Sequence, residues 1–173
     1  MENAVFNTLN DILKKTNLAD VTSESGSFQE LKDGYYLCEV VNAELKESSK
    51  NDPMVSFRLK IAEDGLSVSD EGDFETIKNS KGRTVFINYV LKDDTSVRRF
   101  VSDMLKFEGD TEGEPILGKE YFLSSETLVD ALDILTGLCI YVQVSTSEKS
   151  DGTKSTWQNL ISWKRANALE LPL

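Results

Sequence analysis

Apolar and polar positions alternate with a period of two in five stretches of this chain. In Met54 to Ile61, Val55, Phe57, Leu59 and Ile61 fall on one side, and Met54, Ser56, Arg58 and Lys60 on the other. That period is the mark of a half-buried β-strand. Tyr35 to Leu45, rich in β-branched and aromatic residues, predicts a first strand after the Asp33-Gly34 turn, and Lys46 to Pro53 a polar hairpin loop. Thr84 to Leu91 predicts a third strand, with Val85, Ile87, Tyr89 and Leu91 on one face and Phe86 and Asn88 on the other. In Leu138 to Thr146 the inward set is Leu138, Ile140, Val142 and Val144, leaving Cys139, Tyr141 and Gln143 outward. Asp151-Gly152 is a hairpin turn signal before a fifth strand, Thr156 to Lys164.

Helical spacing governs three other segments. Val5, Leu9, Ile12 and Leu13 make an apolar stripe over residues 2–16. Val97, Phe100, Val101, Met104 and Leu105 predict a helix over Ser96 to Phe107, capped by Asp94 or Thr95, with Gly109 placed to end it. Leu128, Val129, Leu132 and Leu135 predict another over Ser125 to Leu135, ended by Gly137. Asn17 to Ser27 reads as a connector, and Glu63 to Ser80 and Glu108 to Pro115 as acidic loops. The expected organisation is an appended helix and connector (1–27), one domain (28–165) and a short tail without strong pattern (166–173). Three strands, helical segments and a closing hairpin match the order of a five-stranded antiparallel barrel of the OB type, mainly β with helices between strands 3 and 4.

Composition narrows the function classes. With 173 residues, the chain is long enough for one domain with a real core. Its longest apolar runs are strand-length, and its first residues lack a basic region followed by an apolar core, so the expectation is a cytoplasmic protein without a membrane span. The sequence contains no histidine, which removes the Ser-His-Asp arrangement and most zinc sites. Cys38 and Cys139 sit in strands without a CxxC motif and read as small buried thiols. Phosphate-binding glycine loops are absent, and the acids Asp70, Glu71 and Asp73 lack the ligand spacing of a calcium loop, so no catalytic set, metal site or cofactor is expected.

The net charge of −11 opposes polyanion binding when taken whole, but it is unevenly placed. Residues 61–75 and 107–142 hold fourteen acids and one base, whereas 46–60, 76–106 and 143–165 are net basic. Single-strand binding needs a basic track for phosphates and flat rings on which bases stack. The rings whose strand parity opposes the apolar face are Phe86, Tyr141 and Trp157, with Asn88 beside Phe86. Arg58 and Lys60 flank that surface on the second strand, and Lys81 and Arg83 enter the third. Arg98 and Arg99, on the central helix, read as solvated or ion-paired. Phe57, Phe100 and Trp163 read as core.

Leu31-Lys32-Asp33-Gly34-Tyr35-Tyr36, Glu44-Leu45-Lys46-Glu47-Ser48, Asn51-Asp52-Pro53-Met54 and Gly82 to Tyr89 together resemble a family of bacteriophage single-stranded-DNA-binding proteins of OB type. The resemblance spans about residues 28–165 and implies non-specific single-stranded DNA binding in phage replication or recombination, in the bacterial cytoplasm. Phage or host replication proteins would be partners, and self-association along the strand is compatible with it. A different reading stays open: an acidic protein-interaction module that imitates DNA or inhibits a host protein.

Overall fold

The computed structural model describes residues 4–16, 18–19, 31–109 and 114–172. The chain divides into two units, Met1–Glu30 and Leu31–Leu173. In the first, α1 (Ala4–Lys15) is amphipathic, and its stripe of Val5, Phe6, Leu9, Ile12 and Leu13 is exposed. The connector expected over 17–27 lies, apart from Leu18 and Ala19, outside the described residues.

The second unit is built around one long strand, β1 (Gly34–Glu47). Its first half pairs antiparallel with β6 (Cys139–Glu148), and its second half pairs with β2 (Pro53–Ile61). A break in register between Val40 and Asn42 makes this possible. Before it Tyr36, Cys38 and Val40 are buried; after it Ala43 and Leu45 face the core, and Asn42, Glu44 and Lys46 are exposed. One extra residue switches strand parity, so the bulge keeps a single apolar face around the bend.

β2 pairs in turn with β5 (Thr84–Val90), and β6 with β7 (Lys154–Ile161). The five expected strands are therefore present. Two more correct the reading of 63–80 as an acidic loop: β3 (Gly65–Val68) and β4 (Phe74–Ile77) form a hairpin attached to β1 through Tyr35 and Leu66. Gly34 and Gly65 are needed where the hairpin meets β1, since a Cβ on Gly34 would lie 2.5 Å from the Leu66 carbonyl oxygen. Among the described residues the result is a seven-stranded antiparallel sheet that does not close: there β5 pairs with β2 alone and β7 with β6 alone. A five-stranded closed barrel is thus not what the hydrogen bonding forms.

The sheet curls over a core of Tyr36, Val40, Phe57, Leu59, Ile140 and Val142, covered by α2 (Asp94–Met104) and α3 (Ser125–Leu135). α2 contributes Phe100 and Met104, and α3 Leu128, Ala131, Leu132 and Leu135. Phe57, Tyr89, Phe100 and Phe122 run through it as edge-to-face pairs with centroids 6.0, 5.2 and 6.1 Å apart, a geometry that aromatic quadrupoles favour. The cap of α2 is Asp93 rather than Asp94 or Thr95. Its Oδ1 accepts the Ser96 N–H at 2.8 Å, and Ser96 Oγ accepts the Asp93 N–H at 3.1 Å, a reciprocal capping box. α2 ends at Met104, before Gly109, while Gly137 follows α3 with φ +91°.

The tail also has structure. Ser162 caps a short helix, α4 (Trp163–Ala168), and Ala166 and Leu171 pack against Tyr141 and Ile161 on the outer face of β6 and β7. This second, smaller core has no counterpart in the strand alternation. Among the described residues no helix is long and apolar enough to cross a membrane.

Candidate nucleic-acid interface

Strand parity on β2 and β5 sets out one polar surface. Arg58 stands opposite Phe86, Ser56 opposite Asn88, and Lys60 opposite Thr84. Arg58, Lys60, Phe86 and Asn88 are all exposed, and Phe86 keeps 60% of its surface open to solvent. The Ser56 hydroxyl donates to Asn88 Oδ1 at 2.7 Å, tying the two strands together on that face. A hollow of about 260 Å³ lies here, bounded by Arg58, Phe86 and Asn88 with Asn42, Glu44 and Lys46 of β1. Glu44 is held by Lys46 at 3.5 Å, so one carboxylate of the hollow is partly neutralised.

The unpaired edges of β5 and β7 bound a second space. A cavity of about 340 Å³ is lined by Phe86 to Val90 from β5, Trp157 and Gln158 from β7, and Ser96, Arg99 and Asp103 from α2. That volume is at the small end of ligand-sized cavities, roughly 300–1,000 Å³. Trp157 is half exposed, and its indole N–H donates to Ser147 Oγ at 3.3 Å, which fixes the ring on the hairpin. Phe86 and Asn88 line both spaces, so the β2–β5 surface and the open seam are continuous.

Arg99 was not among the expected contacts. Adjacent helical residues point about 100° apart, which separates Arg98 from its neighbour. Arg98 pairs with Asp94 at 2.7 Å on the exposed side of α2, whereas Arg99 faces the seam with Ser96 and Asp103. The spacing of Ser96, Arg99 and Asp103, three and four residues apart, marks one helical face and was the available signal. Asp103 accepts the Tyr89 hydroxyl at 2.8 Å and holds Lys106 at 2.9 Å. Burial chiefly, and then the Asp103 charge, push the Tyr89 hydroxyl pKa well up.

Three expected residues are placed elsewhere. Tyr141, read as an outward ring, is 4% exposed: α4 and Leu171 cover it, Trp163 meets it edge to face, and its hydroxyl donates to the Pro172 carbonyl. It cannot stack a base in this fold. Arg83 has the parity of Val85 and Ile87, not of Phe86, and its charge acts on the Tyr36 hydroxyl. Lys81 is exposed in the turn before β5, 3.8 Å from Glu63, and borders neither hollow. The structure therefore groups Arg58, Phe86 and Asn88 with Trp157 and Arg99; Lys60 extends the line along β2. No family model matches the chain, and no curated protein sequence matches it.

Proposed function

We propose that the second unit binds single-stranded DNA without strict sequence preference, as an OB-type barrel left open along the β5–β7 seam. The observation that carries this reading is the pair of exposed rings, Phe86 and Trp157, facing one cavity from the two unpaired strand edges. Stacking contributes about 1–3 kcal/mol per base and tolerates any sequence. Arg58 and Lys60 along β2 and Arg99 at the seam supply cations for the phosphates, on a body that is acidic overall. Such a role in phage replication or recombination fits the sequence resemblance, would place the protein in a bacterial cytoplasm and requires no catalytic group.

A salt titration of binding to a fluorescent oligo-dT, read together with tryptophan quenching, tests the reading. Binding that weakens with salt, with a quench largely lost in Trp157→Ala, is the expected result. Trp163, half buried against Tyr141, should contribute little to it. Absence of binding at low salt overturns the reading. The exposed acids Asp70, Glu71, Asp73 and Glu75 of the β3–β4 hairpin would then direct the search to basic protein partners.

A further inference from the structure

A further hollow, of about 280 Å³, lies on the other flank of α2 from the seam. It is apolar, lined by Leu45, Leu91, Val97 and Val101 and, at the α3 end, by Phe122 and Leu128. On its rim stands Leu123, which at 83% is the most exposed large hydrophobic residue among those described. Leu123 joins a 3₁₀ turn (Lys119–Phe122) to α3, whose capping box is closed by Ser124 and Thr127. Its backbone is therefore held on both sides. A hydrophobic residue in this place often folds back on the fourth residue of the helix. Here that residue is Leu128, which is buried, yet Leu123 stays almost wholly in water.

The two helices that flank this groove differ in charge. α3 carries Glu126, Asp130 and Asp133 and no base. On the α2 side, residues 92–106 hold four bases (Lys92, Arg98, Arg99 and Lys106) against three acids. All three acids are engaged: Asp93 caps α2, Asp94 holds Arg98 and Asp103 holds Lys106. A twofold interface requires one surface to serve as both partners. This patch has the means, a protruding leucine beside an apolar groove, with an acidic helix on one side and a more basic one on the other. We infer that two copies of the chain associate through it about a twofold axis, each seating its Leu123 in the groove of the other. The α2 side of one copy then lies against α3 of its partner, bases toward acids. The inference is independent of the DNA-binding reading.

Sedimentation velocity of the full chain without DNA, in a concentration series up to about 100 μM, tests this. The wild type should form a dimer. Leu123→Lys and Val97→Asp should each raise the dissociation constant by about a hundredfold or more, because every substitution enters a twofold interface twice. Both positions are exposed, so thermal melting should change little and show that the variants fold. An equal mixture of the two variants should dimerise again. One contact then joins an intact Leu123 to an intact groove, and in the other the introduced lysine meets the introduced aspartate. A wild type that stays monomeric throughout overturns the inference. So does a dimer that persists in either variant, which would put the contact elsewhere, such as on the exposed stripe of α1. A mixture that remains monomeric overturns the seating of Leu123 in the partner's groove.

Discussion

Phe86, Trp157 and Tyr141 show what strand alternation can and cannot say about a single side chain. Parity put all three on outward faces, and for Phe86 and Trp157 the structure agrees. For Tyr141 the outward face is itself roofed by α4, a six-residue helix whose short apolar pattern gave no warning. Trp157→Ala and Phe86→Ala should each weaken oligo-dT binding by about 1–3 kcal/mol with little change in melting temperature. Tyr141→Phe should do the reverse: loss of its hydrogen bond to Pro172 costs about 1 kcal/mol of stability, and DNA affinity stays the same. Fluorescence titration and thermal melting separate the two patterns. The cysteines differ as well. Burial pushes the Cys38 thiol pKa up to about 12, while Cys139 is half-buried at the start of β6. A thiolate-selective reagent at neutral pH should label Cys139 first, and Cys38 only once the protein unfolds.

Among the elements, β2, β5 and α3 were plain in the sequence because each has one buried face and a regular period along it. The β3–β4 hairpin was not. Its strands are four residues each, the acids Asp70, Glu71 and Asp73 fill the turn, and pairing to β1 depends on a contact that spacing cannot reveal. The candidate site was half legible. Arg58, Phe86 and Asn88 follow from alternation, but the meeting of β5, β7 and α2 around Trp157 and Arg99 is a property of the tertiary fold. Two element-scale outcomes can be measured. Leu171 is buried against Tyr141, so Leu171→Ala should cost about 2–5 kcal/mol in denaturant unfolding, as other buried leucine truncations do. Hydrogen bonds from Ser96 hold the Asp93 carboxyl below its ordinary pKa of 3.8. A carboxyl depressed in the folded state stabilises it above that ordinary value, and the contribution is lost as pH falls through the lowered pKa. Protection of the amides at the start of α2, taken relative to their intrinsic exchange rates, should therefore fall below about pH 4 in the wild type. Asp93→Asn should flatten that dependence.

For the whole molecule, a net charge of −11 and a proposed binding surface with a few cations lead to one quantitative expectation. With Arg58, Lys60 and Arg99 as the phosphate contacts, log affinity should fall with log salt at a slope of about −2. Arg99→Gln should reduce the slope by about 0.7, and a slope near zero in the wild type would remove the electrostatic part of the reading.

β1 has a consequence for how this protein comes into being. Its first half finds its hydrogen-bonding partner in β6, where Tyr36 faces Val142, while its second half pairs with the neighbouring β2. On a ribosome, the β1–β2 hairpin can zip as soon as it emerges. The other half of the same strand must wait, with one edge bare, until β6 has been translated. Closing so long a loop is slow, and an unpaired edge invites the wrong partner. The interval between the emergence of β1 and that of β6 is therefore the one in which a newborn chain is most exposed to misassembly.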